Sequence, residues 1–361
     1  CTINANNDLD AIGQVLARHQ GSSNTWLAYR KELERLLLWA IFEKNKALSS
    51  LNHSDAQDYV AFVLNPLPKD RWLVNTNETL KPKGEPLTGE AHASNLRIRI
   101  PSRVSEHWRP FERPLSPESA QHALRILKAA FNFLTRTAYL ATNPFQGLLK
   151  PLPLQTESPT SVVPKIFAQR FFTPAAWKHA EAALVASTET PDLRRERALM
   201  LLGVSTGLRA SEIARATTNN MARADMGDEV SGYFLNVLGK GNKTRKVFVP
   251  EWLAGVLVDH LRDRDMFVGR LECGAWDFYS LGACALIGAL NRKSEPETSL
   301  TAMRIYTLSK ASLKRIAQSL KTTNPEAAAL LLAGSTHWLR HTFATRKAAS
   351  GVPITLLQAD L

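Results

Sequence analysis

Cysteine is scarce: the 361-residue chain holds only Cys1, Cys273 and Cys284. An odd number with no CxxC pair argues against a disulfide framework or a zinc ribbon and fits a reducing cytoplasm. Long apolar runs are missing too. The longest, Leu281 to Leu290, is too short to cross a bilayer, so no membrane association is expected. No basic segment followed by an apolar run opens the chain, so no signal peptide is expected. The chain begins at Cys1 rather than Met, which leaves room for residues upstream. No internal repeat is apparent.

Acidic residues are in deficit. There are 33 Asp and Glu against 45 Lys and Arg, a formal charge of +12 with histidine neutral. The excess fits a polyanionic partner, usually nucleic acid, and fits equally a soluble basic enzyme. Its distribution says more than its total. Lys240, Lys243, Arg245 and Lys246 crowd into one short stretch. Arg304, Lys310, Lys314, Arg315 and Lys321 follow one another with no acid between them. With 44% hydrophobic and 22% charged residues the chain has material for real cores, which excludes disorder throughout. Its length suggests two domains.

Periodicity places the elements. Trp26, Tyr29, Leu33, Leu36, Leu37, Ala40 and Ile41 form one helical stripe, with Asn24 as its expected N-cap. A second helix is expected near Ser54, with Tyr59, Phe62 and Val63 on one side. Residues 65–114 lose the period and are broken by prolines and glycines, so they read as an insertion or long loop. Arg97, Arg99, Arg103, Arg109 and Arg113 within it fit either phosphate contacts or a flexible polar loop. A helix restarts at Ser116-Pro117, carries Leu124, Leu127, Phe131 and Leu134, and is expected to run to Asn143-Pro144. A proline-, serine- and threonine-rich segment follows. The expected organisation is a helical domain over 1–150, a linker over 151–168 and a second domain over 169–361. In that second domain, helices are expected from Thr173-Pro174, over Arg194 to Val204 up to Gly207, from Ser211, and from Ser335 or Thr336. Tyr233 to Leu238 and Thr244 to Val249 read as two strands joined by a Gly-Lys-Gly-Asn turn.

Three stretches could carry chemistry. In Thr206-Gly207-Leu208-Arg209-Ala210-Ser211-Glu212, a glycine ends one helix and Arg209 sits at the entry to the next, where anions are favoured. Glu212 could orient it, or the two could be an ordinary surface ion pair. In Gly239-Lys240-Gly241-Asn242-Lys243-Thr244-Arg245, glycines flank a mobile lysine at a hairpin tip. That fits a ligand reaching the backbone closely, and fits a solvated edge equally well. In His337-Trp338-Leu339-Arg340-His341, His337, Arg340 and His341 share one helical face. HExxH would need a glutamate where Trp338 stands, and the arginine opposes a cation, so phosphate suits this face better than metal.

Taken together, TGLRASE at 206–212, GKGNKTRKVFVP at 239–250 and HWLRHTFAT at 337–345 resemble the boxes of the tyrosine recombinases, also called the phage integrase family. TWLAYRKELERLLLWA at 25–40, PLSPESAQHALRILKAAFNFL at 114–134 and NPF at 143–145 resemble the family's core-binding domain. The resemblance covers nearly the whole chain apart from the 65–114 insertion. It implies a mainly α fold with a small antiparallel β-sheet: a helical, SAM-like core-binding domain followed by a mixed α/β catalytic domain.

Residue by residue, the resemblance implies that Arg209 and Arg340 hold the oxygens of a scissile phosphate. Lys240, or Lys243 if the turn register shifts, would be general acid toward the leaving 5′ oxygen. His337 would assist proton transfer and bind phosphate, and Glu212 would support Arg209. It implies double-stranded DNA as partner, a homo-tetramer on DNA, no metal, no cofactor, a bacterial cytoplasmic, nucleoid-associated location and the integration or excision of a mobile element. The linker would let two domains close around a duplex. The family's nucleophilic tyrosine lies roughly thirty residues after the second arginine, beyond a Gly-His or Gly-Trp element. The sequence stops at Leu361, 21 residues after Arg340, and Tyr279 and Tyr306 match no part of the motif. The chain as given is therefore expected to bind DNA without cutting it. A type IB topoisomerase and a non-catalytic DNA-binding relative are the competing readings; the integrase-like helical N-terminal half argues against the first, and the codons after Leu361 would discriminate the recombinase from the second.

Overall fold

The computed structural model describes residues 2–74, 101–148, 170–225, 231–239, 243–268, 278, 283–290 and 298–360. The fold is mainly helical with one small antiparallel sheet, as expected. The chain divides into two compact units, Cys1–Ser161 and Val162–Leu361. The expected linker 151–168 lies outside the described residues.

The first unit contains α1 (Asp8–Ala17), α2 (Ser23–Lys44), α3 (His53–Leu64), the single turn α4 (Lys69–Trp72) and α5 (Pro117–Arg136). Local chemistry sets their ends. The Asn7 side chain caps α1, and Asn52 and Asp55 form a reciprocal capping box on α3. Ser116 caps α5, with proline at its first position. The core joins Leu33, Leu36 and Ala40 of α2 to Tyr59 and Val63 of α3 and Leu127, Phe131 and Leu134 of α5.

The structure corrects three expectations here. Helix α1 was not foreseen, because it buries only Ala11 and Val15 and so shows a faint stripe. Helix α2 begins at Ser23, with Ser22 rather than Asn24 in the N-cap position and without a side-chain capping bond. Helix α5 ends at Arg136, seven residues before Asn143, because the Thr137 hydroxyl folds back onto the Phe133 and Leu134 carbonyls and Ala138 turns left-handed at φ 56°.

The ends of the 65–114 segment belong to this core. Trp72 and Phe111 are fully buried, and Leu73 bridges Phe111 in parallel. The Val74 amide donates to the Phe111 carbonyl at 2.9 Å and the Phe111 amide to the Trp72 carbonyl at 3.1 Å.

The second unit contains α6 (Pro174–Ala186), α7 (Pro191–Thr206), α8 (Ala210–Arg215), β1 (Met221–Asp225), β2 (Ser231–Leu238), β3 (Thr244–Pro250), α9 (Glu251–Val268), α10 (Ala302–Leu320), α11 (Pro325–Ala333), α12 (Thr336–Ala349) and α13 (Ile354–Asp360). Ala198 to Leu202 of α7 are buried on every side, because α9, α10 and α12 all pack around that helix. Burying each large aliphatic side chain there contributes about 2 kcal/mol. The strands are ordered β1-β2-β3, with Met221 opposite Leu235 and Val237 opposite Arg245. Leu235, Val237, Val247 and Val249 join the core. Elements α9, α11 and β1 were not read from the sequence. Helix α9 follows β3 without a capping signal, α11 is apolar almost throughout, and β1 has only one large apolar residue.

Candidate phosphate-binding site

Four elements converge around one carboxylate. Helix α7 ends at Gly207, whose φ of 65° suits glycine. A Cβ there would lie 2.4 Å from Phe343 Cδ1, so α12 packs directly on this turn. The next element begins two residues on. Arg209 occupies the N-cap of α8, and its amide donates to Glu212 Oε2 at 2.8 Å. Its Nη1 donates to Glu212 Oε1 at 2.9 Å.

Glu212 is the centre of the arrangement, with only 1% of its side chain exposed. From β3, Arg245 approaches it fork-on, Nη1 to Oε1 at 3.0 Å and Nη2 to Oε2 at 2.8 Å. From α12, Arg340 places Nη1 3.8 Å from Oε2 and also donates to the Gly207 carbonyl. Three guanidiniums thus share one buried carboxylate, which leaves an excess of positive charge. The carboxyl would be pushed up by burial, but the bonds and charges from Arg245 and Arg209 outweigh that and hold it at about 2. Burial, followed by the charge of Arg209, lowers Arg340 to about 10, so it stays cationic at neutral pH.

His337 lies one turn before Arg340 on the same helix, exposed, and its ring meets His341 edge-on at 4.4 Å. Lost hydration first, and then the charges of His341, Arg340, Arg209 and Arg170, hold its pKa below the ordinary value. His337 is therefore largely neutral at neutral pH, suited to exchanging a proton.

Arg209, Glu212, Arg340 and His337, chosen from sequence, are thus brought together. Lys240 lies outside the described residues. Lys243 is exposed, and its carbonyl accepts from the Gly239 amide at 2.8 Å, closing the hairpin. Arg245 was read only as one of a basic cluster. Its place in strand β3 was legible, but its partner 33 residues earlier was not.

Other basic residues of the expected clusters are engaged within the fold. Lys310 donates to the Leu332 and Gly334 carbonyls at 2.9 and 2.8 Å, capping α11, and Arg315 pairs with Glu196 at 3.0 Å. Arg103 pairs with Glu34, and Arg109 donates to the Asp70 carbonyl at 2.6 Å. These four cations serve the fold. Arg97 and Arg99 lie outside the described residues. Among the described residues no three His, Cys, Asp or Glu side chains gather to hold a metal, and no helix is long and apolar enough to cross a membrane.

The fold agrees with the comparisons. The family model described as the phage integrase family matches residues 178–361. Tyrosine recombinase XerC of Treponema denticola is 24% identical over 273 residues, 74% of each chain. XerC of Xylella fastidiosa strain M23 is 28% identical over 174 residues, 48% of this chain and 51% of that one, so the match spans about half the relative's length. Among solved structures, the Tn1549 transposon integrase in complex with transposon right end DNA superposes with a TM-score of 0.54 at 18% identity. That match covers 97% of this chain and 90% of that one. The XerH site-specific recombinase bound to difH substrate gives 0.52 at 14% identity, covering 98% and 78%. The chain belongs to the phage integrase family, the tyrosine recombinases, whose general activity is site-specific recombination.

Proposed function

We propose that this chain serves the cutting and rejoining of double-stranded DNA at a specific site, with Arg209 and Arg340 cradling the scissile phosphate. The observation that carries this reading is the convergence of Arg209, Arg245 and Arg340 on the buried Glu212. Such a group, fixed in place before substrate arrives, matches the charge that develops on phosphoryl oxygens during transfer. Arg209 keeps 39% of its side chain exposed.

In this reading a tyrosine oxygen attacks phosphorus, forming a 3′-phosphotyrosine link and breaking the bond to the 5′ oxygen. Lys240 donates the proton that oxygen needs to leave as a hydroxyl. His337, neutral beside the arginines, assists proton transfer. Rejoining reverses the steps, and no metal or cofactor is needed. The first unit serves as the core-binding domain on DNA, and the active assembly is a tetramer. The biological role is integration or excision of a mobile element.

The test uses the product of the whole reading frame on a nicked duplex bearing its site, scored as a covalent protein–DNA band on a denaturing gel. The reading requires that band in the wild type and its loss in Arg340→Ala, with duplex binding retained. Duplex binding with no covalent band from the complete product would favour a non-catalytic DNA-binding protein.

A further inference from the structure

We propose that Arg245 is a positioning residue for this pocket. By occupying both oxygens of Glu212 it keeps that carboxylate from drawing Arg209 and Arg340 away from the phosphate. The proposal rests on the reading of Arg209 and Arg340 as phosphate ligands.

The geometry divides the three arginines by task. Arg245 spends two parallel bonds on Glu212 and has only 14% of its side chain exposed. Arg209 spends one Nη on the carboxylate and stays 39% exposed. Arg340 stands back at 3.8 Å, held by the Gly207 carbonyl. A buried carboxylate must be paired, and the fork of Arg245 satisfies both oxygens at once. Without it, the nearest donors are the two guanidiniums that the substrate needs. Glu212 would then compete with phosphate instead of orienting its ligands.

The same guanidinium also lies under the hairpin. A Cβ on Gly239 would sit 3.2 Å from Arg245 Nη1 and 3.7 Å from Glu212 Oε1. Gly239 immediately precedes Lys240, and its amide closes the turn onto the Lys243 carbonyl. Arg245 therefore joins the Arg209 turn to Gly239 at the end of β2.

Inorganic phosphate is the probe, read on the chain as given through the arginine Nε–Hε NMR signals of Arg209 and Arg340. Arg245→Met should weaken phosphate binding about tenfold at neutral pH, as one charge-assisted contact is lost. Arg245→Lys, which keeps the charge but not the fork, should fall between. Duplex affinity at low salt should change less than about twofold, because many cations share that binding. Acidification gives the readout that a merely structural role would not move. In Arg245→Met the carboxyl of Glu212 loses its strongest partner and protonates at higher pH than in the wild type, which releases Arg209 and Arg340 and recovers phosphate binding as pH falls. The wild type gains only what protonation of His337 and His341, which face Arg170, Arg209 and Arg340, adds.

Folded Arg245→Met with wild-type phosphate affinity, or with the same pH profile as wild type, would overturn the proposal. If thermal melts show that Arg245→Met does not fold, Arg245→Lys decides: wild-type affinity there overturns it. Wild-type Arg209 and Arg340 signals that ignore phosphate would instead sink the phosphate-pocket reading, and this proposal with it.

Discussion

At the scale of single residues, Glu212 organises the site and also exposes it to acid. Glu212→Gln keeps the shape but removes the charge that three guanidiniums share. It should cost about 3–5 kcal/mol, as for other broken buried pairs, measured by urea unfolding. Because its folded pKa of about 2 lies below the ordinary 4.5, the stability it supplies is complete above 4.5 and is lost as pH falls toward 2. His260 acts earlier. It is fully buried on α9, its Nε2 accepts from the Gly288 amide at 3.3 Å, and its Nδ1 has no partner among the described residues. Burial first, then Arg264 and Arg195, lower it to about 3 from 6.5. The unfolded chain therefore takes up the proton first, and stability falls as pH drops below 6.5. The wild type should lose up to about 1.4 kcal/mol per pH unit across pH 6 to 5 through His260, and His260→Gln should show a shallower slope that keeps only what His337 and His341 add. Urea midpoints at each pH check this. The motif residues Arg209, Glu212, His337 and Arg340 were legible because each sits in a short local pattern. Arg245 and His260 were not, since their importance comes from partners distant in sequence.

At the scale of elements, capping chemistry decided what could be read. Helices α5, α6 and α7 each begin with a serine or threonine cap followed by proline, and all were placed, though α7 starts three residues before the expected Arg194. Strands β2 and β3 were legible from β-branched and aromatic residues around a glycine turn. Helix α11 was not, because PEAAALLLA has no polar face to set a period. The turn between α7 and α8 is the most constrained junction of the site. Gly207→Ala meets both a φ of 65° and a Cβ 2.4 Å from Phe343. It should cost more than about 2 kcal/mol and displace Arg340, whose Nη1 holds the Gly207 carbonyl. A melt that matches wild type would show that the turn relaxes freely.

At the scale of the molecule, the charge of +12 predicts how binding responds to salt. With about six phosphate contacts, duplex affinity should fall roughly a thousandfold between 50 and 200 mM salt. A nearly flat titration would remove the DNA reading. The first unit should tolerate replacement of residues 76–100 by a short glycine–serine link, because Trp72–Val74 and Phe111 already meet through two backbone hydrogen bonds. Trp72→Ala should instead unfold that unit, at about 3–5 kcal/mol, read by circular dichroism. The sequence placed this segment outside the core because Trp72 and Phe111 stand alone between prolines, and only their meeting in space makes them core.

The central claim is that Arg209 and Arg340, 131 residues apart in sequence, grip one phosphate. A crystal structure of the chain on duplex DNA carrying its site tests it most directly. The account predicts a single backbone phosphate within about 2.7–2.9 Å of donors from both guanidiniums, with His337 beside it and Arg245 still forked onto Glu212. A duplex bound elsewhere, with Arg209 and Arg340 touching no common phosphate, would contradict it.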